Sequence, residues 1–408
     1  MRLKKLNGAA CQIAKLCLCA TIPLIAAPSL AYSASPPRTM SYTESDVVRN
    51  VDYVAMADGA RQAYISYHPK SGRYPTIFIY GPYSESAMTF ERAKPFLDAG
   101  YAVVGANWRA TGCSEGVIET NFPTRVQGKD GAEIVEWIAK QSWSDGNVGM
   151  VGNSYPGMSQ ILVAAQRPRH LRAIVPAGVS DAYDTAEYLG GMLQPSIKEY
   201  EYRWIYELQP PGMKWRISHG DTECTKIHGG ARVKKGYYEA TLEHPLRDQW
   251  WTELESTRSV DTINIPTMIV AAFQDEYGGE ARESARIFSR LPSNLKSKRL
   301  FFVNGPHASG STYPFIFSEQ LKFLDRWVKG VRNGVENELP VKVFWEVGAP
   351  DGDPTKAVPG WTTTHQTWPD PAVQRRTFYL TVDGAMSRKE AQVRKMPFVL
   401  ICIQRERN

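Results

Sequence analysis

A serine set between glycines, where an apolar run gives way to a helix-forming run, constrains this chain more than any other feature. Gly149-Met150-Val151-Gly152-Asn153-Ser154-Tyr155-Pro156-Gly157 contains a short strand-like stretch, Val148 to Val151, and leads into Gly157 to Gln166, which reads as a helix stopped by Pro168. So tight a strand-to-helix turn requires small neighbours and lifts the serine hydroxyl clear of the backbone. The helix N-terminus behind it favours developing negative charge. The usual pattern is Gly-x-Ser-x-Gly; here Pro156 holds the second glycine position and Gly157 comes one later.

The surroundings repeat the same alternation. Thr76 to Tyr80 and Ala102 to Asn107 are short apolar runs, Lys129 to Lys140 has apolar residues at near-helical spacing, and Leu171 to Val175 is again strand-like. Strands resume at Ile265 to Phe273 and Arg299 to Asn304, followed by a helical stretch from Ser318 to Lys329. Strands alternating with helices imply an α/β fold with a parallel sheet covered on both faces. Residues from about 184 to 260 break the rhythm and read as a helical cap inserted over the sheet.

A nucleophilic serine needs a base and a group to orient it, and in the α/β-hydrolase fold these follow in the order Ser, Asp or Glu, His. Six of the seven histidines lie before the elbow, before the expected acid strand, or in the C-terminal β region. His307 remains, in the loop directly after Arg299 to Asn304. Asp275 and Glu276 both end the preceding strand; Asp275 comes first and suits the acid, leaving Glu276 as a substrate contact or a solvated charge. For an oxyanion hole, one donor is the backbone N–H of Tyr155. The second should come from Gly81-Pro82-Tyr83-Ser84; Pro82 has no N–H, so the Tyr83 phenol is a candidate, with a packed aromatic as the alternative.

Charge argues against a polyanionic partner. The net charge is +6, but residues 1–33 hold Arg2, Lys4, Lys5 and Lys15 and no acid, so the rest carries 6 − 4 = +2. That balance gives no reason to expect nucleic acid or an anionic membrane as a partner. The basic start, the apolar run Leu16 to Ala27 and the small residues after it have the layout of a secretory signal peptide, with Ser29/Ala31 or Ala31/Ser33 at the cleavage positions. A secreted or periplasmic protein, free of the membrane after cleavage, is expected. Export permits disulfides, so Cys113 and Cys224 could be bridged or free, with Cys402 left over. These cysteines form no metal motif, and without a zinc-spaced His/Cys set or a Gly-rich phosphate loop no metal or nucleotide cofactor is expected. Nothing in the sequence sets an oligomeric state.

Together these residues resemble the Xaa-Pro dipeptidyl-peptidase and cocaine-esterase-like hydrolases. Gly152-Asn153-Ser154-Tyr155-Pro156-Gly157 matches their elbow, and Asp58-Gly59, Tyr74-Pro75, Pro82-Tyr83 and Arg109-Ala110-Thr111-Gly112-Cys113-Ser114-Glu115-Gly116 are similar to their N-terminal signatures. His244-Pro245 with Trp250 or Trp251 resembles the end of the cap, and Phe323-Leu324-Asp325-Arg326-Trp327 the last helix. The resemblance implies Ser154 as nucleophile, Asp275 as acid, His307 as base, and Tyr83 with Tyr155 as oxyanion donors. It also implies a helical cap and a C-terminal jelly roll. His307 stands two positions earlier than the family's base, and Tyr277-Gly278 replace the extra acids of the α-amino-acid ester hydrolases.

The expected organisation is thus a signal peptide at 1–33, a hydrolase domain at 47–330, and a truncated β domain at 331–408. Val341 to Val347 and Thr377 to Val382 alternate like strands, while Arg388 to Asn408 is basic and does not continue a jelly roll. The expected substrate is a small ester or amide, or a short peptide whose amine would be met by Glu187, Glu199 or Glu201 of the cap. The alternatives are a broad carboxylesterase or acylase and an inactive truncated fragment.

Overall fold

The computed structural model describes residues 40–120, 122–203, 207–227, 233–277, 279–374, 376–380 and 385–388. Residues 1–39, including the expected signal peptide, and 389–408, including Cys402, lie outside them. Ten strands form one sheet: β1 (Val47–Ala55), β2 (Arg61–Pro69), β3 (Tyr74–Gly81), β4 (Ala102–Asn107), β5 (Ser144–Asn153), β6 (Leu171–Ala177), β7 (Thr267–Ala272), β8 (Lys298–Val303), β9 (Val341–Trp345) and β10 (Trp361–His365). Their spatial order is β1-β2-β4-β3-β5-β6-β7-β8-β9-β10. From β4 to β9 all neighbours are parallel, while β1, β2 and β10 are antiparallel to theirs. The mostly parallel sheet is the one the alternating pattern predicts, and it fits the α/β-hydrolase fold expected from the Ser154 elbow.

Both faces of the sheet are covered, which is why its central strands read as continuous apolar runs. Along β3, Phe78 and Tyr80 pack into a core with Ile134 and Val135 of α2 (Arg125–Ala139) and Met158 and Ile161 of α3 (Tyr155–Ala165). Ile77 and Ile79 face the other way, into a core with Phe96 and Leu97 of α1 (Phe90–Asp98) and Phe323 and Leu324 of the long last helix, Pro314–Trp327. The strand period of two sends alternate residues to opposite cores.

Between β6 and β7 the chain leaves the sheet. It passes through a π-helical turn, Ala182–Glu187, then α4 (Ser196–Arg203), α5 (Pro210–Ser218), α6 (Thr222–Ile227), α7 (Tyr237–Glu243) and α8 (Gln249–Leu254). Cys224 of α6 is joined to Cys113 of the loop after β4, with Cα atoms 4.8 Å apart. Arg216 of α5 is fully buried; it pairs with Asp221 at 2.6 Å and donates to the carbonyls of Tyr64 and Ser86.

The C-terminal part differs from expectation. A separate β domain beginning at 331 would take Val341–Trp345 with it, but this segment is β9 of the main sheet, parallel to β8 and in register from Leu300 opposite Val341 to Val303 opposite Phe344. Val341, Val343 and Phe344 are all buried. Lys342 breaks the apolar run without exposing the strand: its ammonium lies over the Phe301 ring and pairs with Glu319 at 2.6 Å. Long lysine stems bury readily in this way. Trp361–His365 adds the antiparallel edge strand β10. Only the short ribbon of β11 (Tyr379–Leu380) with β12 (Met386–Ser387) stands apart among the described strands.

Candidate active site

Ser154 sits between β5 and α3 with φ 66° and ψ −130°. A non-glycine residue at positive φ is strained, and such strain concentrates at functional sites. Close packing forces the conformation. A Cβ on Gly152 would lie 2.5 Å from Pro156 Cβ, and one on Gly157 would lie 2.1 Å from the Ala177 carbonyl oxygen of β6. The small residue the elbow requires is therefore Gly157. Pro156 is admissible because it occupies the first turn of α3, where backbone N–H groups have no intrahelical acceptor.

Asp275 and His307 follow the ends of β7 and β8, two neighbouring parallel strands. Asp275 Oδ2 lies 2.5 Å from His307 Nδ1. Glu276, the alternative acid, instead accepts the backbone N–H of His307 at 3.0 Å. The two acids thus fix different parts of one histidine. His307 Nε2 is buried and has no hydrogen-bond partner. Ser154, Asp275 and His307 line one cavity of about 840 Å³ together with Tyr83 and Tyr155. The Ser–His hydrogen bond is open; such bonds are often long in unliganded sites and tighten on substrate binding.

Tyr83 offers its phenol. Its backbone N–H already donates to Glu85 at 2.8 Å, and its hydroxyl lies 3.0 Å from that of Tyr200. Burial pushes the phenol up to about 12, while hydrogen bonding to Tyr200 and Ser154 works the other way. The group is a neutral donor throughout the working range.

The acid–base cluster has a third carboxyl. Glu280, at the start of the helix Glu280–Arg290, is only 2% exposed and accepts the backbone N–H of Ala272 at 2.8 Å. Its second oxygen lies 3.5 Å from His307 Nδ1. Burial pushes Glu280 up to about 8, with Asp275 adding to the shift and His307 opposing it. For His307, burial disfavours the charged ring, but the hydrogen bonds and charges of Asp275 and Glu280 outweigh it and raise the imidazole to about 9. Burial works to raise Asp275 as well; the hydrogen bonds from His307 and Glu280 override it and hold the carboxyl below its ordinary value.

Residues 58–309 match the model of a family described as X-Pro dipeptidyl-peptidase (S15 family). The chain belongs to this family. It is 26% identical over 379 residues to the cocaine esterase of Rhodococcus sp. (strain MB1 Bresler), covering 81% of this chain and 62% of that protein. A putative serine esterase of Mycobacterium bovis is 29% identical over 409 residues, with the same coverage of 81% and 62%. A putative Xaa-Pro dipeptidyl-peptidase of Bacillus anthracis is 23% identical over 61% of this chain and 42% of its own. The chain therefore spans about 62% of the length of the first two of these relatives. Among solved structures, a CocE/NonD family hydrolase from Staphylococcus aureus superposes with TM-score 0.67 at 20% identity, covering 83% of this chain and 59% of that one. An α-amino acid ester hydrolase superposes with TM-score 0.65 at 17% identity, covering 90% and 66%. These structural likenesses concern the fold.

Of the three acids named for an amine site, this S15-family chain brings one to the cavity. Glu187 lines it, accepts the Tyr237 hydroxyl at 2.8 Å, and is pushed up to about 7 by burial. Glu201 instead accepts the backbone N–H groups of Tyr237 and Tyr238 at 2.8 and 3.0 Å, and Glu199 is exposed. Glu280 and Tyr200 were not legible in the sequence. Glu280 opens a helix that the apolar periodicity does not mark, and Tyr200 is one of several tyrosines in the inserted segment.

Proposed function

We propose that this chain is an exported serine hydrolase that cleaves an ester or amide bond by two-step acyl transfer. The observation that carries the reading is the strained Ser154 sharing one cavity with a His307 held at Nδ1 by Asp275. Ser154 Oγ gives its proton to His307 Nε2 and attacks the substrate carbonyl carbon. The developing oxyanion takes hydrogen bonds from the Tyr155 N–H and the Tyr83 O–H; one such donor contributes roughly 10²–10³ in rate. His307 then returns the proton to the leaving alcohol or amine. Water, deprotonated by His307, releases the acyl group as a carboxylic acid and restores Ser154. In this reading the inserted helices act as a cap over the cavity.

The substrate favoured is one whose acyl part carries a free amine, as in a dipeptidyl group. Glu187 supports this, being a cavity-lining carboxyl among aromatic residues, where an ammonium ion would find a charge partner. A broad carboxylesterase or acylase is the second reading, supported by the cocaine esterase relative that matches 81% of the chain. Turnover of an Ala-Pro anilide and of a simple aryl ester tests both. Ser154→Ala should abolish each activity, and Glu187→Gln should raise KM for the anilide while sparing the ester. Turnover by folded Ser154→Ala protein would overturn the mechanism; ester turnover alone in the unaltered protein would overturn the amine site. Export rests on the order of basic, apolar and small residues at 1–33, and an N-terminus just after Ala31 or Ser33 in protein recovered outside the cytoplasm is the expected result.

A further inference from the structure

Tyr83 reaches the cavity from the sheet, but the group its hydroxyl meets comes from the inserted segment. Tyr200, on α4, places its hydroxyl 3.0 Å from that of Tyr83 across 117 residues of chain. The Tyr200 ring is held on two sides. It meets the Tyr155 ring, beside Ser154, edge-on with centroids 6.0 Å apart at 87°, and the Tyr277 ring at 6.2 Å and 69°. Tyr277 in turn meets His307 at 4.9 Å and 76°, and Tyr155 stacks on Tyr83 at 6.1 Å and 4°. One aromatic chain thus runs from the candidate oxyanion donor to the candidate base, with Tyr200 as the link that the insert supplies.

A phenol has one proton to give and lone pairs that accept. When Tyr83 turns its proton toward an oxyanion, its oxygen needs a donor in this partly buried setting, and an acceptor left unmet away from water is costly. The Tyr83 backbone N–H is already committed to Glu85, so the phenol is the group this residue can offer. The Tyr200 hydroxyl stands at the right distance to donate to it, and hydrogen bonds in series polarise one another.

We propose that Tyr200 is a positioning residue for the oxyanion hole: its O–H donates to the Tyr83 oxygen while Tyr83 donates to the oxyanion, which makes α4 of the insert part of the catalytic machinery. This rests on the reading of Tyr83 as an oxyanion donor. It also deepens that reading, because a substrate that displaces α4 loses rate as well as binding. Both phenols are raised by burial and stay protonated, so the arrangement holds across the working pH range.

The test is a double-mutant cycle on an aryl ester, with kcat and KM measured separately on folded protein for Tyr83→Phe, Tyr200→Phe and the pair. Tyr83→Phe should lower kcat by roughly 10²–10³. Tyr200→Phe keeps its ring and loses one hydroxyl; it should lower kcat by roughly tenfold and leave KM within about twofold. The double variant should be no slower than Tyr83→Phe alone, because without the Tyr83 phenol there is nothing for Tyr200 to position. An unchanged kcat in Tyr83→Phe would sink the oxyanion reading itself. A slow Tyr83→Phe beside a normal Tyr200→Phe, or a double variant slowed by the product of the two single effects, would overturn the role of Tyr200 and leave that of Tyr83 intact.

Discussion

The strongest quantitative consequence of the cluster around His307 is its pH profile. The imidazole is raised from 6.5 to about 9 by Asp275 and Glu280 against the opposing effect of burial. Only the neutral ring can accept the Ser154 proton, so kcat/KM should follow the neutral fraction. With a midpoint near 9 that fraction is about 1% at pH 7 and about 10% at pH 8. An aryl-ester assay from about pH 5 to 10, corrected for spontaneous hydrolysis, should therefore show kcat/KM rising about tenfold per pH unit and bending near 9. Glu280→Gln removes one of the charges that raise the ring and should move the bend toward acid while keeping most of the plateau. Asp275→Asn should also move the bend toward acid, and should lower the plateau by up to about 10⁴ through loss of the orienting carboxylate. Stability runs the other way with pH. A histidine raised on folding stabilises the native state fully below its unfolded pKa of about 6.5, and the benefit fades as pH rises through the folded value of about 9. A bend at or below pH 6.5 in the unaltered protein would refute the reasoning, as would a Glu280→Gln bend displaced toward alkali.

Gly157→Ala should unfold the elbow region, because the new Cβ would lie 2.1 Å from the backbone oxygen of Ala177 and neither element can yield cheaply; a loss of roughly 1–3 kcal/mol or more in denaturant unfolding is expected. Cys113→Ser with Cys224→Ser opens a bridge spanning 111 residues, and chain entropy alone predicts a loss of about 4–5 kcal/mol, read as a lower melting temperature that reductant reproduces in the unaltered protein. Arg216→Met leaves Asp221, whose side chain is only 8% exposed, without its cation, and thermal unfolding should report a loss of about 3–5 kcal/mol.

The parts of this molecule legible in sequence share a physical origin. Central parallel strands are apolar on both faces, so Thr76 to Tyr80 and Ala102 to Asn107 announce themselves, and the elbow carries its own steric signature at Gly152 and Gly157. The strands β1 and β2 at the antiparallel edge had no such mark beyond the Asp58-Gly59 turn between them. The strand β9 reads in sequence as part of another domain because Lys342, buried along its stem, imitates an exposed face. Site chemistry divides in the same way. Ser154, Asp275 and His307 can be found from their order on strand ends. Glu280 matters because a tertiary contact brings it against His307, and Tyr200 because the insert folds back onto Tyr83; neither contact leaves a spacing in the chain.

The central claim is that Ser154 is a nucleophile activated by His307. A fluorophosphonate probe followed by mass mapping tests it most directly. The modified peptide should contain Ser154, with labelling lost in Ser154→Ala and strongly slowed in His307→Ala. Label on another residue, label that persists in folded Ser154→Ala protein, or no label on the folded unaltered protein would contradict the account.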